Sequence, residues 1–182
     1  MNFIKCLEKR KIFENEWISF YSDNVRFPDG SIGKYNRLVE KGGDGIVILP
    51  IDSIGNIGLI FIFRYPIGTF SWELPRGFGN NTTAKENAVR EFSEEFGMVF
   101  STINSLGKIF PNSGISATPA EVVYIENLER ITQENLNSRE VIERRKFFSS
   151  NEIFHMISTG MIKDSITISA IMLAVLNGII KL

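Results

Sequence analysis

The run Arg90-Glu91-Phe92-Ser93-Glu94-Glu95-Phe96-Gly97-Met98 constrains this chain more than any other stretch. At about 100° per residue on a helix, Glu91 and Glu95 stand one turn apart on one face, with Glu94 beside them. Thr83-Ala84-Lys85-Glu86 has the form of a capping box and starts the helix. Gly97 fits the left-handed stop just past its end. Ala88, Val89, Phe92 and Phe96 make an apolar face opposite the carboxylates. The pattern therefore predicts a short helix pinned at both ends, buried on one side and acidic on the other. Three like charges on one face repel by about a few tenths of a kcal/mol per pair. A divalent cation turns that repulsion into ligation, and hard carboxylate oxygens suit Mg²⁺ or Mn²⁺. A charge run by itself is ordinarily a solvated face. Here the strand end Glu73-Leu74-Pro75-Arg76 enters a glycine loop, Gly77-Phe78-Gly79, just before the helix. Strand, glycine loop, capped helix and carboxylate cluster together make a site architecture.

The first 80 residues read as strands. Trp17-Ile18-Ser19-Phe20-Tyr21 mixes aromatic and β-branched residues, and Phe27-Pro28-Asp29-Gly30-Ser31 is a turn that joins two strands as a hairpin. Ile46 to Pro50 and Gly58 to Phe63 are near-continuous apolar runs, which suits central strands covered on both faces. Further strands are predicted near Ser105 to Phe110, Glu121 to Leu128 and Val141 to Phe148. Helices are predicted at about 150–159 and 165–181, the second capped by Asp164 or Ser165. Strands, helix, strands, helices in that order imply an α+β or α/β sandwich with a mixed sheet.

With 182 residues the chain is one domain with room for a small extension. A net charge of −1 leaves no basic footprint for nucleic acid. The single cysteine, Cys6, excludes an internal disulfide and suits a reducing cytoplasm. Cys6 and the lone His155 do not build a zinc site, and His155 reads as a helix-surface residue. Lys5, Glu8, Lys9 and Arg10 interrupt any signal peptide. The apolar stretch from Ile166 to Leu182 is shorter than the roughly 20 residues needed to span a bilayer, so it reads as a buried helix and no membrane partner is expected.

From Gly77 to Met98 the chain resembles the Nudix box, G-x5-E-x7-R-E-U-x-E-E-x-G-U, with U a bulky aliphatic residue. The second half fits through Arg90, Glu91, Phe92, Glu94, Glu95, Gly97 and Met98. The first half departs. Thr82 stands where the family has its first glutamate, and Gly77 lies one residue closer to Arg90 than the family spacing. In the family that glutamate mainly braces loop and helix, so the departure predicts a less braced loop over residues 77–83. Phe63-Arg64-Tyr65-Pro66, Trp72 to Gly77, Phe110-Pro111-Asn112-Ser113-Gly114 and Gly160 to Thr167 resemble, in order, the flanking motifs of ADP-ribose pyrophosphatases.

That resemblance implies a Nudix-type α/β/α sandwich with a mixed sheet over residues 42–182. It also implies an N-terminal antiparallel β extension over residues 1–41, which in relatives often packs in a swapped homodimer. It implies Mg²⁺ (or Mn²⁺) held by Glu91, Glu94 and Glu95 with the backbone carbonyl of Arg76. A general base is expected in the loop near Glu140, with Glu143 second, Glu134 not excluded by loop length, and Glu94 as a further acidic candidate. Arg64 reads either as a snorkelling edge residue or as a phosphate clamp. Arg76 either acts likewise or pairs with the glutamates. Glu73 is a metal or supporting group or an arginine partner, and Gly77 brings the backbone close to a ligand. Trp72 reads as packing or as an adenine stack. The expected activity is hydrolysis of the pyrophosphate of ADP-ribose or a related nucleoside diphosphate sugar. A degenerate domain that binds a nucleotide without cleaving it, and hydrolysis of nucleoside triphosphates or capped RNA, are the alternatives.

Overall fold

The computed structural model describes residues 3–79, 82–130 and 140–181. The N-terminal strands form one antiparallel sheet. β1 (Lys5–Glu8) and β2 (Lys11–Glu14) pair in succession with β3 (Ile18–Arg26), and β4 (Ile32–Glu40) pairs along the length of β3. The hairpin turn falls where Pro28-Asp29-Gly30 predicts it. Phe27 N–H donates to the Ser31 carbonyl at 2.9 Å, the Asp29 carboxylate accepts from the Ser31 amide at 2.9 Å, and Gly30 takes φ 90°. The strand expected at Trp17 to Tyr21 starts one residue later and runs on to Arg26, because β4 pairs with it throughout.

Two further sheets lie between the helices. One is mixed, in the order β8 (Arg76–Phe78), β5 (Gly45–Pro50), β10 (Ala120–Arg130), β9 (Met98–Ile109), with β5 and β10 parallel. The other is antiparallel, in the order β11 (Ile142–Phe148), β6 (Ile57–Arg64), β7 (Thr69–Glu73). The alternation of side chains along a strand sends each central strand into two cores. Ile46, Ile48, Ile60 and Ile62 pack with Phe92 and Phe96 of α1 (Ala84–Phe96). Val47, Leu49, Ile57 and Leu59 pack on the other side with Ile153 of α2 (Ser150–Ser158) and Ala170 and Ile171 of α3 (Ser165–Leu176). This is the expected α+β architecture, with strands covered on both faces by opposed helices.

Three local expectations change. The strand near Ser105 to Phe110 begins at Met98, directly after the Gly97 turn, because β10 offers pairing along its whole length. Val89 is 41 % exposed, so the apolar face of α1 is Ala84, Ala88, Phe92 and Phe96 without it. The last helix ends at Leu176 and not at 181. Gly178 takes φ 72°, and Ile179 and Ile180 fold back to donate to the Ala174 carbonyl, which buries Ile180. His155 is exposed on α2, and Trp72 packs edge-on against Phe148 in the core. Among the described residues no helix is long and apolar enough to cross a membrane.

Candidate active site

Helix α1 is closed by a side-chain capping box at its start and by a glycine turn at its end. Thr83 Oγ1 accepts from the Glu86 amide at 3.2 Å, and Glu86 accepts from the Thr83 amide at 2.9 Å. Gly97 takes φ 70°, a left-handed conformation that a Cβ would strain. This helix lays Glu91 and Glu95 against β8. The Arg76 amide donates to Glu95 Oε2 at 3.0 Å. A Cβ on Gly77 would fall onto the Glu91 carboxylate, so only glycine permits this approach. The acidic face is therefore not a solvated face: Glu95 is 0 % exposed and Glu91 7 %.

Glu140 completes the group. Glu95 Oε1 and Glu140 Oε2 are buried, and among the described residues neither has a hydrogen-bond partner. Burial pushes the Glu95 carboxyl well above its usual range, and the Glu140 and Glu91 carboxylates push it further, against the Arg76 amide. Burial also raises Glu91. Its partner Arg90 eases this, while Glu94 and Glu140 add to it. Glu94 turns to Arg90 at 3.4 Å and stays about one-third exposed, outside this group.

Among the described residues no three His, Cys, Asp or Glu side chains stand grouped as a ready-made metal site. The chemistry nonetheless fits a divalent cation. Buried carboxylates lacking a positive partner are costly, and unpartnered carboxylate oxygens are the hard donors such an ion takes.

Two arginines stand beside the carboxylates. Arg64 Nε and Nη2 donate to Glu73 Oε2 at 3.0 and 2.8 Å, and Arg76 Nη2 reaches the same oxygen at 2.8 Å. Glu73 is 2 % exposed and serves as the shared arginine partner, the second of its two sequence readings. Burial lowers the Arg64 pKa, but Glu73, with Glu95 and Glu140 beyond it, more than offsets that, and the net shift is upward. Arg76 pairs with Glu73 and also with Asp164, at 3.2 Å.

Arg64, Arg76, Gly77 and Glu140 share one cleft of about 330 Å³. Its wall also contains Glu40 and Ser116, which sequence reasoning missed. Glu40 ends β4, and Ser116 Oγ lies 3.4 Å from its carboxylate. Leu38 of β4 donates to the Ile115 carbonyl at 2.8 Å, and the Tyr35 hydroxyl donates to the Gly114 carbonyl at 3.2 Å. The N-terminal sheet thus reaches the cleft through the loop that follows Phe110. The Phe110-to-Gly114 motif marks that loop in the sequence; no local signal marks Glu40.

Glu143 is not in the cleft. It pairs with Arg144 at 3.0 Å in a separate groove with Trp72, Met156 and Met161. Glu134 and Arg139 lie outside the described residues. Thr82, at the position of the missing glutamate, is itself tied to its surroundings. The Thr82 amide donates to the Gly79 carbonyl at 2.8 Å, and its hydroxyl lies 3.0 Å from that carbonyl and 2.7 Å from the Asn87 side-chain oxygen position. One hydroxyl proton serves one acceptor. In the shorter contact Thr82 donates to the Asn87 side-chain oxygen, and the Gly79 carbonyl keeps its bond from the Thr82 amide. Asn87 is 3 % exposed, so a buried amide stands behind the missing glutamate.

No family model matches the chain. It is 26 % identical over 152 residues to an ADP-ribose pyrophosphatase of Mycobacterium tuberculosis (strain ATCC 25618 / H37Rv), covering 82 % of this chain and 72 % of that protein. It is 24 % identical over 141 residues to an ADP-ribose pyrophosphatase of Bacillus subtilis (strain 168), covering 76 % and 75 %. Its fold matches a crystal structure of an ADP compounds hydrolase with a TM-score of 0.80 at 16 % identity, over 94 % of this chain and 91 % of that one. The resemblance read from the box is borne out by the two relatives, and the architecture by the solved structure.

Proposed function

We infer that this chain, a Nudix hydrolase that is ADP-ribose pyrophosphatase-like in sequence and fold, hydrolyses the pyrophosphate of ADP-ribose or a related nucleoside diphosphate sugar. The observation that carries this reading is the meeting of Arg64, Arg76 and Glu140 in one cleft beside the buried Glu91 and Glu95. Mg²⁺ or Mn²⁺ is held in this reading by Glu91 and Glu95 with the Arg76 carbonyl; Glu94 joins only on releasing Arg90. Such an ion, when bound, neutralises the diphosphate and lowers the pKa of the attacking water.

The protein's own groups do the rest. Arg64 and Arg76 present planar donors to the phosphate oxygens. Glu140 takes the proton of the water as its oxygen bonds to one phosphorus. The bond from that phosphorus to the bridging oxygen breaks, and the bridging oxygen leaves on the other phosphate. The products are a nucleoside monophosphate and a sugar phosphate. Glu143 is a poorer base in this reading, since it faces a different groove.

The same proposal takes residues 1–41 as an extension that pairs with a second copy and residues 42–182 as the catalytic unit, in a reducing cytoplasm. Its support is the exposure of Phe13 on β2, Ile32 on β4 and Trp17 just before β3. A non-cleaving nucleotide sensor gains no support from two buried carboxylate oxygens, Glu95 Oε1 and Glu140 Oε2, that lack partners among the described residues.

The test is incubation with ADP-ribose, a panel of nucleotide sugars, ATP and capped RNA in Mg²⁺ or Mn²⁺, with products read by mass. AMP and ribose 5-phosphate from ADP-ribose are expected. Cleavage of ATP or capped RNA alone sinks the substrate class, and binding without any cleavage sinks the enzyme reading.

A further inference from the structure

We propose that Asp164 and Thr167, at the start of α3, are positioning residues that aim Arg76 into the cleft. The inference rests on the reading above, in which Arg76 binds the pyrophosphate. Leu74-Pro75 is the bend that carries the chain from β7 in the antiparallel sheet to β8 in the mixed sheet. Glu73 and Arg76 flank that bend, so its placement sets where both side chains point.

Helix α3 grips the bend from 88 residues away in sequence. Thr167 is 0 % exposed. Its Oγ1 accepts from the Leu74 amide at 3.0 Å and donates to Asp164 Oδ2 at 2.8 Å. Asp164 Oδ2 also accepts from the Thr167 amide at 2.8 Å, which is the helix cap. The other oxygen, Oδ1, stands 3.2 Å from Arg76 Nη1. Arg76 Nη1 also donates to the capping oxygen, Oδ2, at 3.4 Å, so one carboxylate both caps a helix and holds a guanidinium.

Arg76 needs this second anchor. Its first anchor, Glu73 Oε2, is shared with Arg64. With Glu73 alone, the guanidinium can swing about one oxygen. With Glu73 on Nη2 and Asp164 on Nη1, its plane is set, and its remaining N–H donors are free for phosphate oxygens. Preorganised donors bind a diphosphate more tightly than donors that must first be ordered.

Asp164→Asn separates this role from helix capping, because asparagine caps a helix about as well as aspartate but carries no charge for Arg76. ADP is titrated calorimetrically in Mg²⁺ into wild type, Asp164→Asn, Arg76→Ala and the double variant, and KM and kcat are measured for ADP-ribose. Asp164→Asn is expected to weaken ADP by about tenfold and to raise KM more than it lowers kcat, with the melting temperature near wild type. In the Arg76→Ala background it should cost nothing further, since the two residues act as one unit. Thr167→Val should weaken ADP in the same direction, and Thr167→Ser, which keeps the hydroxyl, should restore it. If Arg76→Ala weakens ADP but Asp164→Asn does not, or costs the same in both backgrounds, the positioning role is wrong while the Arg76 reading stands. If Arg76→Ala binds ADP as wild type does, or wild type binds none, both fall together.

Discussion

In the body of the molecule, β5 and β6 are covered on both faces, and Ile48, Leu49, Leu59 and Ile60 are each 0 % exposed. In the N-terminal sheet, Val25 is the one buried hydrophobic side chain among the described residues, and Phe13, Trp17 and Ile32 are 51, 64 and 68 % exposed. The buried centre of that sheet is polar instead. Asp23 is 5 % exposed and accepts from Arg37 at 2.6 Å and from the Arg10 amide at 2.9 Å. A body with two hydrocarbon cores stands on its own. A four-stranded sheet with a single buried hydrophobic side chain leaves its apolar side chains to another surface. Yet this weaker region supplies Glu40 to the wall of the cleft. In the proposal above, that surface belongs to a second copy of the chain.

The largest effect is expected in the body. Glu95→Gln keeps the shape and removes one buried charge, and turnover at saturating Mg²⁺ should fall by orders of magnitude. Without metal, the same variant should melt higher than wild type, because it relieves the burial of a carboxylate beside Glu91 and Glu140. Calorimetry and a turnover assay check both, and near-native turnover would remove Glu95 from the chemistry.

Next comes a paired test of the two regions. Phe92→Ala empties the α1 core and should cost about 3–5 kcal/mol in urea unfolding. Trp17→Ala should cost under about 0.5 kcal/mol in the isolated protomer, but it should shift the protein towards monomer in light scattering. Equal costs for the two variants, or an unchanged oligomer with Trp17→Ala, would break the contrast.

Within the body, Thr82→Val removes the hydroxyl that donates to Asn87. We expect about 1 kcal/mol of lost stability and a modest loss of rate, and Thr82→Glu should bring little gain. A large gain with Thr82→Glu would mean that the natural loop is impaired.

The smallest effect is a pH dependence confined to the N-terminal sheet. Burial pushes the Asp23 carboxyl up, but Arg37 and the Arg10 amide more than offset it, so its folded pKa lies below the ordinary value. Its contribution to stability is then fully present above the unfolded value of about 3.9 and is lost as pH falls through the folded one. Hydrogen exchange of β3 and β4 should rise in that acid window, and Asp23→Asn should flatten the change. An unaltered acid response in Asp23→Asn would show that the ion pair does not hold the sheet.

The features legible in the sequence are those whose partners lie within a few residues. The capping box of α1, its stop at Gly97, the turn at Pro28-Asp29-Gly30 and the Asp164 cap all bond locally, so spacing alone reveals them. Apolar runs marked β5 and β6 as doubly covered because both faces of those strands are hydrophobic. Helical periodicity put Glu91, Glu94 and Glu95 near one another. It could not say that β8 would bury two of them while Arg90 drew the third aside. Nor could it choose Glu140 over Glu143, because the path of the chain into β11, where the pairing shifts at Glu143, decides which glutamate faces the cleft. Glu40 in the cleft wall and Asp164 on Arg76 depend on contacts across 76 and 88 residues. Local spacing does not encode such contacts; sheet order and helix docking bring those side chains together.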